Sequence, residues 1–336
     1  MRLAVAILAA GEGTRMKSAL PKVLHPICGR PLLGHVVAAA DAIGADQVAI
    51  VLARDTIDQV RASLGERYGY AVQAERLGTG HAVLQARALL EGHADEVMVL
   101  FGDTPLLRPE TARNVVDLRR QRGALLALMS FRPTPPTGYG RVLRDANGHV
   151  SGLVEERDAT PEQRLIGECN SGIMCIDAHW LWQALPRVPR SPVKGEYYLT
   201  DLVAMAVAAG GPGAAVALEA SDEREAWGIN DRVQLAEAEA VLRRWTLEAL
   251  MRSGVTIVDP TNTYVDVGVS VGRDSVLLPG TMLRGTSRIG AGSVIGPQTT
   301  LIDSEVGERV SLPHAFLEHV TLPDGATVEP FTYMKR

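Results

Sequence analysis

Residues 8–24 read LAAGEGTRMKSALPKVL, a glycine-rich turn that directly follows the apolar run of residues 3–8. A turn of this kind after a buried strand is typical of nucleotide-binding α/β proteins. The dinucleotide fingerprint requires a third glycine three residues after Gly13, but this chain has Met16 there. The phosphate loop of ATPases ends in Gly-Lys-Ser/Thr, and this turn lacks that ending. The stretch therefore predicts a nucleotide site of another class.

The turn is basic in a chain whose formal net charge is −5. Only four of the 34 basic residues are lysines, and two of these, Lys17 and Lys22, lie here beside Arg15. Lysine is a compact point charge suited to phosphate. The backbone N–H groups of residues 11–14 and a following helix start would add an anion-binding nest. The stretch predicts a phosphate site, and the alternative is a tight strand-to-helix turn with solvated basic side chains.

The composition is that of a soluble globular protein of one or two domains, with 336 residues, 46% apolar and 22% charged. The negative net charge and the pI near 5.9 argue against a general nucleic-acid or membrane-surface binder. The apolar start is too short for a signal peptide, and no segment is long enough to span a membrane. The three cysteines lack metal-ligand spacing, so reduced thiols and a cytoplasmic location are expected.

The first 230 residues alternate between apolar runs and helical patterns. The runs predict strands at 3–8, 47–52, 96–101 and 124–130, with helices near 31–43, 56–66, 79–91 and 108–121. This alternation predicts a parallel-type sheet that is covered on both faces. Ligands of such sheets bind outside the carboxyl ends of the strands. The opening turn and the pair Gly102-Asp103 both follow strand ends.

The pattern changes after residue 230. Residues 231–252 carry apolar side chains at spacings of three and four, which predicts one connecting helix. From about 254 an apolar residue recurs every sixth position: Val265, Val271, Leu277, Leu283, Ile289, Ile295 and Leu301, and after a slip Val306 with Leu312 and Leu322 with Val328. This six-residue period predicts a parallel β-helix of about four triangular coils.

LAAGEGTRM followed by LPKVLHPICGRP resembles the signature of sugar-1-phosphate nucleotidyltransferases. Within them the chain is most similar to the bacterial N-acetylglucosamine-1-phosphate uridylyltransferases, a family whose usual form also carries an acetyltransferase. The resemblance implies an α/β fold with a Rossmann-like nucleotidyltransferase domain in 1–230, a connecting helix in 231–253 and a short left-handed β-helix in 254–336. The family's acetyl-CoA site lies in later coils, so acetyltransferase activity is expected to be absent from this chain.

The resemblance also assigns residues to the nucleotide. Arg15 and Lys22 are the implied catalytic residues. The implied nucleotide-binding residues are Leu8, Ala9, Ala10, Gly11, Gly13, Thr14, Gln73, Gly78, Thr79 and Gly102. The amide of Gln73 offers both a donor and an acceptor to the edge of uracil. Thr79 also has the alternative role of a helix N-cap, and His81 in the same segment is expected to be structural.

Asp103 and Asn230 match the family's magnesium ligands, and oxygen ligands of this kind suit Mg²⁺. The alternative for Asp103 is a turn residue that caps the next helix. The implied sugar-binding residues are Gly140, Glu155, Asn170 and Tyr198. Two neighbours depart from the usual family residues: Arg157 stands where a lysine is common, and Ser171 where a threonine is common.

The implied reaction converts UTP and N-acetylglucosamine 1-phosphate into UDP-N-acetylglucosamine and pyrophosphate for cell-envelope polymers. The resemblance further implies a homotrimer formed through the coils, and the negative net charge predicts no nucleic-acid or membrane partner. Two alternatives remain: a pyrophosphorylase for another sugar, such as glucose 1-phosphate, and a non-catalytic sugar-nucleotide sensor. A sensor could lose catalytic residues, so the presence of Arg15, Lys22, Asp103 and Asn230 argues against it.

Overall fold

The computed structural model describes residues 1–192 and 195–336. The chain divides into two compact units. Unit 1 comprises Met1–His25 and Leu32–Asp231, and unit 2 comprises Pro26–Pro31 and Arg232–Arg336. Among the described residues no helix combines the length and the apolar character needed to cross a membrane. The assignment of residues 26–31 to unit 2 has no counterpart in the sequence pattern.

Unit 1 is built around one mixed β-sheet. Its strands are β1 (Leu3–Leu8), β2 (Gln47–Leu52), β3 (Gly69–Val72), β4 (Glu96–Phe101), β5 (Leu126–Phe131), β6 (Arg141–Arg144), β7 (Val150–Val154), β8 (Cys169–Asp177) and β9 (Ala215–Glu219). The order along the sheet is β9-β5-β8-β4-β1-β2-β3, and the hairpin of β6 and β7 pairs with β8 through β6. The α/β class is therefore confirmed.

The sheet departs from the predicted parallel type at β8. This strand runs antiparallel to both of its long neighbours, with Met174 opposite Val99 of β4 and Leu128 of β5. The remaining neighbours along the main path are parallel. A strand that is buried on both faces is a continuous apolar run whichever way it points, so the sequence pattern could not reveal its direction.

Helices cover both faces of this sheet. They are α1 (Leu32–Ala42), α2 (Ile57–Leu64), α3 (Thr79–Gln85), α4 (Arg87–Leu90), α5 (Pro109–Arg122), α6 (Pro161–Arg164), α7 (Ala178–Ala184) and α8 (Asp201–Gly210). Alternate residues of β1 enter different cores: Ala4 and Ala6 pack in one, Val5 and Ile7 in the other. All four are fully buried. The two-residue period of a strand thus divides one apolar run between two layers of helices.

Unit 2 begins its main part with α9 (Arg232–Arg252) and continues as stacked coils. The coil strands form three parallel columns. The first is Thr256–Ile257, Val276–Leu277, Val294–Ile295 and Ser311–Leu312; the second is Tyr264–Val265, Met282–Arg284, Thr300–Ile302, Phe316–Glu318 and Tyr333–Lys335; the third is Ser270–Val271, Arg288–Ile289, Glu305–Val306 and Thr321–Leu322. Pro26–Ile27 pairs antiparallel with Arg30–Pro31. This arrangement is a short parallel β-helix.

The six-residue period corresponds to the register of the coils. Leu277 lies beside Ile295, eighteen residues or three periods later. Ile289 lies beside Val306, only seventeen residues later, and this shorter coil accounts for the slip in the sequence. Leu317 also enters the core with no exposed surface, although it falls outside the regular count.

Candidate active site

The opening turn follows β1 at the carboxyl edge of the sheet. Ala9 donates its N–H to Val51 at 2.8 Å, which continues the pairing beyond the strand. Gly13 has φ +62°, and a Cβ there would lie 2.6 Å from the Cβ of Lys22. Glycine therefore permits both the left-handed backbone and the close approach of residue 22. The expected helix start is wrong: Thr14–Met16 form a single 3₁₀ turn, too short for an appreciable helix dipole.

Lys22 lies between the two predicted metal ligands. Its Nζ is 2.5 Å from Asp103 Oδ2 and 3.2 Å from Asn230 Oδ1. The Lys22 side chain is only 9% exposed and that of Asp103 is 22% exposed, so the ion pair is largely shielded from water. Three loops that are distant in the sequence thus meet at one cationic centre.

The loop that carries Asn230 is held in place by two further hydrogen bonds. Ile229 donates its N–H to the carbonyl of Asp103 at 2.9 Å. Asn230 Nδ2 donates to the carbonyl of Gly228 at 3.1 Å, and this contact turns the amide oxygen toward Lys22. The carboxylate of Asp103 thus pairs with Lys22 through Oδ2 and does not cap the next long helix. The next long helix, α5, has Arg108 as its N-cap residue.

The pair of oxygen atoms around Lys22 fits a hard divalent cation. Both oxygens already contact one positive centre, and oxygen donors are the ligands that such ions prefer. Within residues 1–192 and 195–336, no group of three or more His, Cys, Asp or Glu side chains could hold a metal. A cation at Asp103 and Asn230 would therefore complete its coordination with water and substrate oxygens.

A cavity of about 610 Å³ opens beside this centre. The predicted residues that line it are Leu8, Ala9, Ala10, Gly11, Lys22, Gln73, Gly78, Thr79, Asp103, Glu155 and Tyr198. The predicted residues Gly13, Thr14, Arg15 and Gly102 are not among the described residues that line it, and Arg15 is exposed on the opening turn. The structure thus gathers most of the predicted nucleotide residues and leaves Arg15 outside the cavity wall.

Gly102 contributes by bringing two strand ends together. Its N–H donates to the carbonyl of Leu8 at 2.9 Å. A Cβ on Gly102 would lie 2.9 Å from the Cβ of Ala9, closer than real side chains pack. A larger residue would push the loop of Asp103 away from the opening turn.

The predicted base-binding segment lies at one end of the cavity. Gln73 is 5% exposed, and its Nε2 donates to the carbonyl of Gly78 at 3.1 Å. Thr79 does not act as an N-cap: the N-cap position of α3 is Gly78, which makes no side-chain cap. The hydroxyl of Thr79 instead accepts the N–H of Leu199 at 3.0 Å.

Three of the four predicted sugar residues line a smaller cavity of about 190 Å³, whereas Tyr198 lines the larger one. Gly140, Glu155 and Asn170 line the smaller cavity together with Thr79 and Thr200. Asn170 Oδ1 accepts the N–H of Gly172 at 3.0 Å, so its amide nitrogen is the polar group left for a ligand. Thr200 donates its hydroxyl to Glu155 at 3.2 Å. Ser171, the departure from the usual threonine, donates its hydroxyl to Met129 at 2.7 Å.

Carboxylates are concentrated in this part of unit 1. Glu155, Glu156, Asp158 and Glu196 all line the larger cavity. Burial, together with the charge of Asp158, raises the pKa of Asp201. Burial also raises the pKa of the Tyr198 phenol, so it stays a neutral donor. Carboxylates accept hydrogen bonds from hydroxyl groups, so this region suits a polyol, and Arg157, which lines the same cavity, adds a positive charge beside them.

Several residues that line the two cavities were missed from the sequence, among them Thr200 in the smaller cavity and Arg76 in the larger one. Arg76 lines the larger cavity, donates from Nε to the carbonyl of Ala10 at 2.9 Å and pairs with Glu12 at 2.7 Å. It therefore links the base-binding segment to the opening turn. The only available signal was its place inside the Gln73 segment, since nothing local indicates a contact across 66 residues.

Known proteins resemble this chain along nearly its whole length. The model of the MobA-like NTP transferase domain matches residues 5–166. The bifunctional protein GlmU of Pelotomaculum thermopropionicum is 47% identical over 335 residues, covering 100% of this chain and 73% of that protein. The bifunctional protein GlmU of Halalkalibacterium halodurans is 42% identical over 329 residues, covering 98% and 72%. That of Thermobifida fusca is 48% identical over 318 residues, covering 93% and 65%.

Proposed function

The chain belongs to the family of GlmU proteins, and we propose that it transfers the uridylyl group of UTP to N-acetylglucosamine 1-phosphate with magnesium. The observation that carries the proposal is the position of Lys22 Nζ between Asp103 and Asn230, beside a cavity of about 610 Å³. A nucleoside triphosphate brings several negative charges to such a centre. The ammonium group of Lys22, largely shielded from water, is suited to pair with them.

We assign this activity to residues 1–230, with 231–253 as the connecting helix and 254–336 as a left-handed β-helix. In the proposed reaction an oxygen of the sugar phosphate attacks the α-phosphorus of UTP. A new P–O bond forms as the bond to the β-phosphate breaks, and its electron pair leaves with pyrophosphate. A phosphate monoester has a second pKa of about 6, so the attacking oxygen is mostly ionised at neutral pH. No general base is required.

The difficulty of this reaction is the repulsion between two anions. Asp103 and Asn230 would hold Mg²⁺, which when bound neutralises charge on the phosphates of the substrate. Lys22 would donate its ammonium hydrogens to the triphosphate. Gly11 and its neighbours would offer backbone N–H groups. Arg15 lies on the exposed side of the turn, where it would contact the departing pyrophosphate.

Substrate choice would depend on two amides. Gln73 would hydrogen-bond the uracil edge, beside the backbone of Gly78 and Thr79. Asn170 would donate from its amide nitrogen to the carbonyl of an acetamido group, because its own oxygen is already bonded to Gly172. Glu155 would accept hydrogen bonds from sugar hydroxyls, and the backbone N–H of Gly140 would donate to a sugar oxygen, because its carbonyl already accepts the N–H of Asn170 at 2.8 Å. Tyr198 would donate from its phenol.

The test is the release of pyrophosphate with Mg²⁺ across UTP, dTTP and ATP, each paired with N-acetylglucosamine, glucosamine and glucose 1-phosphates. Turnover confined to UTP and the N-acetylated sugar is the expected result. Turnover with glucose 1-phosphate would keep the mechanism and overturn the role of Asn170. Binding of UTP without turnover in any pairing would overturn the enzymatic proposal in favour of a sensor.

A further inference from the structure

A histidine that the proposed mechanism does not use adjoins the base-binding amide. His81 lies on α3, and its Nδ1 is 3.1 Å from Gln73 Nε2. The other ring nitrogen, Nε2, is 3.1 Å from Gln85 Nε2. The imidazole thus lies between two glutamine amides, of which only Gln73 lines the cavity.

The hydrogens of Gln73 decide which way its amide faces. An amide nitrogen carries two hydrogens, and here it has two neighbours, the carbonyl of Gly78 and Nδ1 of His81. The carbonyl of Gly78 can only accept. Nδ1 therefore receives the second hydrogen, and both donors of Gln73 are used. Because Gln73 is only 5% exposed, an unused hydrogen would be costly.

The tautomer of His81 follows from this arrangement. A neutral imidazole has one acceptor nitrogen and one N–H. If Nδ1 accepts from Gln73, the hydrogen is on Nε2 and points at Gln85. Gln85 is only partly buried, so it can turn its amide oxygen toward that hydrogen, giving up the 3.2 Å bond from its amide nitrogen to the backbone carbonyl of His81, and leave that nitrogen to water more cheaply than the buried Gln73 could. Gln73 then donates to His81, and His81 donates to Gln85.

We propose that His81 is a positioning residue that makes this site select uracil over cytosine, an inference that rests on the proposed function. With both hydrogens of Gln73 committed, its carbonyl oxygen is the group left for the base. Uracil presents an N–H at N3, which this oxygen accepts. Cytosine has an unprotonated N3 at the same place, and two acceptors would then face each other.

The experiment compares two shape-matched variants, His81→Leu and His81→Asn. Asparagine keeps an oxygen acceptor near the place of Nδ1, whereas leucine has the same branching and no acceptor. The readout is the ratio of kcat/KM for UTP to that for CTP. We expect His81→Leu to lower this ratio about tenfold, the effect of one misdirected hydrogen bond, and His81→Asn to restore most of it.

The matched control is His179→Leu. His179 is an exposed residue on α7 with its own glutamine neighbour four residues later, Gln183 at 2.8 Å, and it does not line the cavity. The ratio of kcat/KM for UTP to that for CTP in His179→Leu should equal that of the wild type. Circular dichroism melting of each variant separates loss of fold from loss of selectivity. Gln85→Leu supplies a second route, because it removes the acceptor that holds the tautomer, and it should lower the ratio by a smaller factor.

The outcomes separate this inference from the proposed function. An unchanged UTP-to-CTP ratio in folded His81→Leu would overturn the role of His81 while the enzyme remained. Equal losses with both nucleotides would have the same meaning, since a merely structural histidine affects them alike. A wild type without turnover would overturn the proposed function, and calorimetric binding of UDP and CDP to the same variants would still test His81.

Discussion

The coils of unit 2 and the cavity of unit 1 bury polar side chains by opposite means. In the coils a serine or threonine recurs two residues before a buried aliphatic residue, as at Ser275, Thr281, Ser287, Ser293, Thr299 and Ser304, and each is at most 1% exposed. In the cavity the ion pair of Lys22 and Asp103 joins residues 81 positions apart, and Asn230 is 208 positions from Lys22. One arrangement repeats at a fixed spacing along the chain, and the other joins residues that are far apart in the sequence.

The difference follows from what each polar group contacts. Ser293 donates its hydroxyl to the carbonyl of Gly307 at 3.0 Å and accepts the N–H of Val310 at 3.1 Å. The backbone of the next coil uses the hydrogen-bonding capacity of the Ser293 hydroxyl, so this side chain contributes to stability. Lys22, in contrast, lines a cavity, pairs with the Asp103 carboxylate and hydrogen-bonds the amide oxygen of Asn230, two oxygens that could hold a metal ion. Substitutions in the coils should therefore change unfolding, and substitutions at the cavity should change rates.

The largest effect is expected from Asp103→Ala. Loss of this carboxylate removes a metal ligand and should lower the rate of pyrophosphate release about 10³-fold, the upper end of the range seen when a preorganised electrostatic group is lost. The measurement is turnover against magnesium concentration, with melting to verify the fold. Asp55→Ala, at an exposed position, should match the wild type. Turnover of Asp103→Ala within tenfold of the wild type would move the metal site elsewhere.

Ile295→Ala tests the coil side of the comparison. Ile295 is completely buried among the coils, so its truncation should cost about 3 kcal/mol of unfolding free energy. Urea denaturation followed by circular dichroism measures the change. Val294 precedes it on the same strand and is 39% exposed, so Val294→Ala should cost less than about 1 kcal/mol. Equal losses of unfolding free energy at the two positions would contradict the conclusion that only one face of this strand packs in the core.

A smaller loss is expected for Ser293→Ala. The variant leaves the part-buried carbonyl of Gly307 and the buried N–H of Val310 without their partner, which should cost about 1–2 kcal/mol. Ser270→Ala, at an exposed coil position, serves as the control and should change the denaturation midpoint little. A wild-type midpoint in Ser293→Ala would mean that the hydroxyl ladder contributes no stability.

The smallest effect concerns a buried carboxyl of unit 1 away from the metal ligands. Burial raises the pKa of Glu225, whose carboxylate accepts the N–H of Arg108 at 3.1 Å. Because folding raises the pKa of Glu225, its full contribution to stability is present below the ordinary pKa of 4.5. This contribution is lost as the pH rises through the pKa of the folded state. Glu225→Gln should therefore be more stable than the wild type at pH 7, by less than about 1 kcal/mol.

The measurement for Glu225→Gln is the denaturation midpoint at pH 4 to 8. The advantage of the variant should shrink toward acidic pH. An advantage that grew toward acidic pH would contradict the assigned direction of the shift.

The fold could be anticipated wherever the sequence repeats a simple period. The predicted strands at 3–8, 47–52 and 96–101 coincide with β1, β2 and β4, because a buried strand is a continuous apolar run. The six-residue period likewise indicated the coils. The antiparallel direction of β8 was missed, since alternation and length carry no direction.

The candidate site was anticipated only as a set of loops. Short motifs indicated Lys22, Asp103 and Asn230 separately, and their assembly around one ammonium group depends on contacts between distant segments. Arg76 was missed for the same reason. His81 was expected to be structural. Its contact with Gln73 was not foreseen, because it depends on how α3 lies relative to the residue that follows β3.

The most direct test of the account is pyrophosphate release from UTP and N-acetylglucosamine 1-phosphate by Lys22→Ala and Lys17→Ala side by side. Both lysines lie in the same basic segment, but Lys17 is exposed and only Lys22 contacts Asp103. We expect Lys22→Ala to lower kcat/KM by about 10²–10³-fold, with Lys17→Ala close to the wild type. A loss below tenfold in Lys22→Ala, or equal losses in both variants, would contradict the claim that this buried ammonium group drives the reaction.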